Sequence, residues 1–461
     1  MRKAIFLFIS LFVVYSLSAQ EYEYKFRLTL KDKGKTPYST DKPSEFLSQK
    51  AIDRRTKQNL KVDETDIPIS TEYIKAIENT GGIVVAKSKW QKTVAVHCAD
   101  SMMVDKLKKL PFVQDALFVW KGKTKKSEVI DTIPKYPAKQ EILFGNYYGK
   151  GDLNIKLHNG QYLHDAGFKG KGIDIAVIDA GFNHLPKIEM MDNIEIKGSK
   201  GFVHQNEDLF SNANQHGLNV LSCIGTNKPN QFVGTAPEAS FWLLGSEDHR
   251  TEFPIEEDYW AAAIEFADSV GIDVVNTSLG YANFDAPAKS YEHSDLNGKN
   301  AHITRSATLA AKKGIFVVCS AGNSGTQEWR KITTPGDAEN VLTVGAIQKD
   351  STIARFSSRG MTADLRVKPD VATLGVNAQV VNDKGLVRPS NGTSFSSPIM
   401  CGMAACLWQA FPTLTNKELL DVIQRSADRY EKFNEDFGYG IPDMKKAMNL
   451  AEEIVAKKTK R

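Results

Sequence analysis

From about Ile155 onward the chain alternates long apolar runs with amphipathic stretches, and no other feature constrains its fold more tightly. Gly172-Ile173-Asp174-Ile175-Ala176-Val177-Ile178 is almost unbroken apolar sequence, as expected of a strand covered on both faces. Glu257 to Val270 carries a helical pattern that stops at Gly271 and hands over to the apolar Ile272 to Val275. Ala301 to Lys313 repeats the device, stopping at Gly314, with Lys312 and Lys313 at the helix's negative end. Strands alternating with helices predict an α/β fold with a mainly parallel sheet and helices on both faces. In such sheets functional groups collect at the carboxyl ends of the strands.

The first 150 residues follow a different pattern. Arg2 and Lys3 precede an apolar run from Ala4 to Leu17, and Ser18-Ala19 supplies small residues before Gln20. A charged start, a short apolar middle and a small exit predict a secretory signal peptide over 1–19. A membrane anchor is the alternative, but the run is shorter than the roughly 20 residues that span a bilayer. The expected product is exported, extracellular or periplasmic, with no membrane span once the signal is removed. Glu21 to Leu30 then alternates, with Tyr22, Tyr24, Phe26, Leu28 and Leu30 on one face, which predicts a half-buried strand. A helix over Ser44 to Lys57, strands near Ile83-Val85 and Val94-His97, a helix from Ser101 to Leu110 and a strand from Phe112 to Trp120 complete the order β-α-β-β-α-β. That order predicts a small α+β ferredoxin-like unit over 20–122. Residues 123–149 are polar and poorly periodic and read as a linker, leaving 150–461 as the main domain.

Composition narrows the function classes. Of 461 residues, 41% are apolar and 25% charged, and the formal charge is only +4, so no nucleic-acid partner is implied. The five cysteines (98, 223, 319, 401, 406) are odd in number and show no metal-ligand spacing. They are expected to be buried packing residues rather than disulfides.

Three strand or helix ends hold groups that belong together chemically. Asp179 follows the first long strand, His216 opens the apolar helix of Leu218, Val220, Leu221 and Ile224, and Ser394 precedes a helix from Pro398 to Ala410. A serine hydroxyl needs a neighbouring base, an imidazole serves near neutral pH, and a buried carboxylate orients the imidazole. A helix start behind the serine leaves unpaired N–H groups facing a developing oxyanion. Asn323, in Ser320-Ala321-Gly322-Asn323 after another strand, could donate a second hydrogen bond to that oxyanion. Taken singly, each residue has a plainer reading: a turn or cap for Asp179, an ordinary histidine, an N-cap for Ser394. The combination carries the weight.

The surrounding words resemble those of the subtilase family of serine peptidases. Val177-Ile178-Asp179-Ala180-Gly181-Phe182 is similar to its Asp motif, His216-Gly217 to its His motif and Gly392-Thr393-Ser394-Phe395-Ser396-Ser397-Pro398 to its nucleophile motif. Ser320-Ala321-Gly322-Asn323, Gly234-Thr235-Ala236-Pro237, Phe356-Ser357-Ser358-Arg359-Gly360, Lys368-Pro369-Asp370-Val371 and Gly438-Tyr439-Gly440-Ile441-Pro442-Asp443 are further family words, all in family order between about Leu153 and Met448. The resemblance implies an Asp179, His216, Ser394 triad and an oxyanion hole of Asn323 and the Ser394 N–H. It also implies a substrate-binding strand at Ser278, Leu279 and Gly280, further substrate-binding residues Ala321, Gly322 and Thr333, and a primary pocket lined by the residues before Pro335, including Ile332 and Thr333. The N-terminal unit then reads as a propeptide, an intramolecular inhibitor cut off between Lys121 and Tyr148; a permanently attached accessory domain is the alternative. Protein or peptide substrates and a monomer are expected. No cofactor is required, no metal ligands are assigned, and calcium stays optional as a structural ion. Departures from the pattern include Ala180 where Thr or Ser is usual, and Leu218-Asn219-Val220 where Thr-His-Val is usual. A catalytically impaired binding protein on the same fold is the alternative function.

Overall fold

The computed structural model describes residues 22–123, 135–137, 142–204, 208–211 and 214–460. The expected signal peptide and most of the central linker lie outside the described residues. The N-terminal unit comprises β1 (Glu23–Leu30), α1 (Gln49–Lys57), α2 (Thr71–Glu78), β2 (Ile83–Ser88), β3 (Thr93–Cys98), α3 (Met103–Lys108) and β4 (Val113–Gly122). Its antiparallel sheet has the order β2-β3-β1-β4, the arrangement a β-α-β-β-α-β chain adopts.

One helix assignment is corrected. The segment expected to form a single helix over 44–57 forms a short 3-10 turn at Pro43–Glu45 and then α1. The helix that packs beside α3 on the sheet is α2, whose Tyr73, Ile74 and Ile77 join Phe26, Leu28, Leu30, Met103 and Leu107 in one core. α1 instead buries Ala51, Arg54 and Arg55, too polar a face to cover an apolar sheet. It docks against the second unit.

That second unit opens with two short helices, α4 (Asp152–Lys156) and α5 (Gln161–Asp165), followed by β5 (Asp174–Asp179) and β6 (Glu195–Gly201). Next come α6 (His216–Gly225), the two-residue strands β7 (Asn227–Lys228) and β8 (Phe232–Val233), β9 (Ser240–Gly245), α7 (Ile255–Val270), β10 (Val274–Thr277), α8 (His302–Lys312), β11 (Phe316–Ser320) and β12 (Leu342–Ile347). The chain closes with β13 (Val371–Leu374), the hairpin β14 (Ala378–Val381) and β15 (Val387–Ser390), α9 (Thr393–Ala410), α10 (Asn416–Ser426) and α11 (Met444–Thr459).

Seven strands form one sheet in the order β13-β12-β11-β10-β5-β9-β6, and every pairing in it is parallel. Every residue of β5 is buried. Ile175 and Val177 face a core built with α6, α9, α10 and α11, while Ala176 and Ile178 face one built with α7 and α8. This two-sided burial is why the strand reads as continuous apolar sequence. All five cysteines are buried and unpaired, and burial pushes the Cys98 thiol up to about 11 and Cys319 to about 12. No helix among the described residues is long and apolar enough to cross a membrane.

The two units meet through α7 and its neighbours. The face of β1 opposite Phe26 and Leu28 is also buried, unlike the half-buried strand expected. Lys25 donates to the Tyr259 hydroxyl at 2.8 Å, and Arg27 pairs with Asp258 at 2.7 Å. Glu265 accepts hydrogen bonds from the Ser88 hydroxyl and from the Lys89 and Trp90 N–H groups at 2.5, 2.9 and 3.1 Å. From α1, Arg54 and Arg55 both reach Asp268, Arg55 at 2.8 Å, and Arg55 also contacts Asp66 at 3.0 Å. Lys313 closes α8 at its carboxyl end, as expected, and its amine pairs with Asp66 at 2.9 Å. Part of the expected linker lies on the second unit as well: Tyr136 N–H donates to the Lys187 carbonyl at 2.8 Å, and Leu143 N–H to that of Asn230 at 2.7 Å.

Removing one member of a buried ion network leaves its partners charged and unpaired, which costs about 3–5 kcal/mol. Arg55 is 1% exposed and holds two carboxylates. Arg55→Ala in the full chain is therefore expected to lower unfolding stability by about 3 kcal/mol or more. A lowered urea midpoint in equilibrium unfolding checks this; an unchanged midpoint would contradict it.

Candidate active site

Asp179 is the last residue of β5, at the carboxyl end of a strand buried along its whole length. His216 is the first residue of α6, held there by a hydrogen bond from its N–H to Asn214 Oδ1 at 2.9 Å. The start of α6 comes close to the loop after β5. A Cβ on Gly217 would lie 2.7 Å from the Gly181 carbonyl oxygen and 2.9 Å from Asp179 Cβ, so the helix reaches that strand end only with glycine there. The approach lets His216 Nδ1–H donate to Asp179 Oδ1 at 2.7 Å, which leaves Nε2 for the cleft.

Burial opposes a charge on the His216 ring, but the Asp179 charge and hydrogen bond override it and hold the imidazole above its ordinary value. The second Asp179 oxygen, Oδ2, is buried without a partner. Alanine at 180 offers that carboxylate only its backbone N–H, which donates to Oδ1 at 2.8 Å.

Ser394 lies in the first turn of α9, which begins at Thr393 and not at Pro398 as expected. The proline sits inside the helix. Lacking an N–H, it cannot bond the carbonyl four residues back, which is that of Ser394. That freed carbonyl accepts the Ser278 hydroxyl at 2.9 Å. Asn276 Nδ2 donates to Ser278 Oγ at 3.1 Å, and Ser397 Oγ donates to Asn276 Oδ1 at 2.8 Å, so β10 and α9 are locked together beside the nucleophile candidate. Ser394 Oγ donates to the Ser278 carbonyl at 3.3 Å. Its backbone N–H, in the first helical turn, has no carbonyl four residues back within the helix to pair with.

Asn323 is exposed and lines one cleft with Asn214, Gln215, His216, Asn219, Ser394 and Phe395, with a cavity of about 520 Å³. Its Oδ1 accepts the Thr393 N–H at 2.9 Å and the Thr393 hydroxyl at 3.0 Å. Both bonds fall on the oxygen, so the Nδ2 amide remains to donate elsewhere.

The other expected site residues border the same region with differing roles. Gly280 approaches Thr333 so closely that a Cβ would lie 2.1 Å from Thr333 Oγ1, and one on Gly322 would lie 2.8 Å from it. That hydroxyl is buried without a partner. Thr333 N–H donates to the Ala321 carbonyl at 3.1 Å, and Tyr281 and Thr334 exchange two backbone hydrogen bonds at 2.9 and 3.0 Å. The Leu279 side chain belongs to the core beneath α7 and α8, so its backbone is the part that borders this region. Ser397 lies in the quoted nucleophile words and Asn276 just ahead of Ser278, but their pairing is invisible before β10 and α9 meet. Glu247, two residues after β9, was missed altogether because it lies in none of those words. Among the described residues no group of three His, Cys, Asp or Glu is placed to hold a metal ion.

The charge on Asp179 is what raises His216. Asp179→Asn is therefore expected to move the His216 titration to lower pH, and Ala180→Ser, which offers Oδ2 a donor, to move it in the same direction by less. Imidazole NMR titrations of the variants check both signs.

Comparison with known proteins identifies the family. Residues 170–440 match the model of the Subtilase family, and residues 25–132 match that of the Peptidase S8 propeptide domain of Bacteroidota. Serine protease AprX of Bacillus subtilis (strain 168) is 30% identical over 304 residues, which cover 60% of this chain and 64% of AprX. Subtilisin BL of Lederbergia lenta is 28% identical over 268 residues, 57% of this chain and 86% of that protein. M-protease of Shouchella clausii (strain KSM-K16) is also 28% identical over 268 residues, here 61% of the relative. The matched region thus spans less than two thirds of AprX and of M-protease. The family model covers more than half of the 461 residues, and the chain belongs to the Subtilase family, with a Peptidase S8 propeptide domain ahead of the matched unit.

Proposed function

We propose that this chain is an exported serine endopeptidase that cuts peptide bonds by acyl transfer with Asp179, His216 and Ser394. The observation that carries the reading is the meeting of His216, Ser394 and Asn323 on one cleft, with Asp179 bonded to the far side of the imidazole. Ser394 Oγ turns from the Ser278 carbonyl toward His216 Nε2 and attacks the scissile carbonyl carbon. His216 takes the hydroxyl proton as the new C–O bond forms. Asp179 holds the ring's tautomer and stabilises its charged state. The negative charge on the carbonyl oxygen is met by Asn323 Nδ2 and the Ser394 N–H, donors in place before the reaction starts. His216 returns the proton to the departing amine as the C–N bond breaks, and water then repeats the sequence to release the acyl group. The substrate lies extended beside Ser278, Leu279 and Gly280, pairing as an added strand. Its side chain at the scissile bond enters between Gly280, Ala321, Gly322 and Thr333. The signal peptide over 1–19 directs export, and the propeptide unit over 20–122 holds the cleft until a cut within 123–149 frees it. The interface on α7 supports that role.

Ser394→Ala is expected to abolish turnover of a peptide amide. Asn323→Ala is expected to lower kcat by ~10²–10³ with little change in KM; a variant with wild-type kcat would remove Asn323 from the oxyanion hole. Intact mass and N-terminal sequencing of the exported protein test the maturation. The wild type is expected to begin between Lys121 and Tyr148 and the Ser394→Ala protein to stay longer. If both stay long, the non-catalytic reading replaces this one; if both shorten, another protease makes the cut.

A further inference from the structure

Glu247 follows Ser246 at the carboxyl end of β9, and the Ser246 N–H donates to the Asp179 carbonyl at 3.0 Å. The carboxylate therefore stands on the strand end next to the Asp179–His216 pair. Burial is the largest influence on it and lifts it to about 8. The Tyr281 hydroxyl donates to Oε1, and Glu252, Asp179 and His216 are the charged groups that act on it most strongly. None of these is a lysine or arginine. A second carboxylate stands close behind: Glu256 is 1% exposed, its Oε1 accepts the Asp248 N–H at 2.7 Å, and its Oε2 has no partner. Glu247 is the strongest charge acting on it. Among the described residues Glu247 thus stands beside the catalytic imidazole with the Tyr281 hydroxyl bonded to it and no lysine or arginine paired with it, a carboxylate that is costly to bury without a counter-charge.

The position of that carboxylate relative to a substrate follows from the strand geometry, and this step rests on the peptidase reading above. Ser278 touches Ser394, so the bond to be cut lies at that end of the 278–280 segment. Gly280 and Tyr281 lie further along, where the residues preceding the bond run. Side chains of an extended peptide alternate in direction. The one at the bond enters the Gly280–Thr333 side, and the preceding one turns to the opposite side, which His216, Tyr281 and Glu247 occupy. We infer that Glu247 selects substrates with lysine or arginine at the position immediately before the residue whose carbonyl is attacked. The chain supplies such a sequence itself, since Lys121, Lys123, Lys125 and Lys126 cluster where β4 leaves the propeptide unit.

Three fluorogenic peptides, identical except for lysine, norleucine or glutamate at that position, test the inference on the matured wild-type protein and on Glu247→Gln. The wild type is expected to favour lysine over norleucine by about tenfold in kcat/KM and to take glutamate worst. In Glu247→Gln the lysine-to-norleucine ratio is expected to fall to about one. Wild-type cleavage of all three peptides at equal rates overturns the inference while leaving the peptidase reading intact, and needs no variant to be seen. A Glu247→Gln protein that keeps the wild-type ratio while every rate shifts together also overturns it, and assigns Glu247 to tuning His216. Failure of the wild type to cleave any of the three removes the peptidase reading and this inference with it.

Discussion

The burial of β5 on both faces is the constraint on which the cleft depends. Because helices cover the sheet on either side, its strand ends are the place where polar side chains can gather without crossing a core. Asp179 is carried to that rim by the strand itself, Ser246 and Glu247 by β9, Ser278 by β10 and Ala321–Asn323 by β11. The two helices that begin at the rim, α6 and α9, bring His216 and Ser394 in their first turns. Side chains mounted this way are positioned by the backbone hydrogen bonds of a sheet and by two helix starts, a stiffer mounting than free loops supply.

Ion pairing does for the propeptide interface what apolar burial does for the sheet. α7 turns one face to the parallel sheet, with Trp260, Ala263 and Ile264, and offers Glu257, Asp258, Glu265 and Asp268 to the N-terminal unit. Arg27, Arg54 and Arg55 answer that acidic face. Such pairs contribute less to net stability than an apolar interface of equal size, because both charges lose their water. Their use suits the proposed maturation, in which the two units separate: each face, once parted, is polar enough to return to solvent. An apolar interface would leave an adhesive surface behind.

Much of this was legible from residue order alone. The alternation of apolar strands with glycine-stopped helices announced the parallel sheet, and the order of strands in the first 122 residues announced the small antiparallel one. Local signals were sufficient there because period and stop residues are properties of neighbours in sequence. The same reasoning misplaced the first helix of the small unit. Ala51 and Ile52 made 44–57 look amphipathic, yet the sheet is covered by Tyr73, Ile74 and Ile77 of α2. Periodicity says that a helix has a buried face, and says nothing about which surface buries it.

Residue order alone carries the chemical inventory: an aspartate after an apolar strand, a histidine and a serine at helix starts, an asparagine after a further strand, and the words around them. The wiring of those groups belongs to the fold, which set the 2.7 Å bond between His216 and Asp179, the carbonyl of Ser394 freed by Pro398 and taken up by Ser278, and Asn323 turned by Thr393. It alone brought Glu247 beside them, from a stretch with no pattern to mark it. The reason is geometric. A motif records what the chain must hold at one place, while contacts between β5, β9, β10 and α9 join residues tens to hundreds of positions apart, and no local period encodes which strand lies next to which.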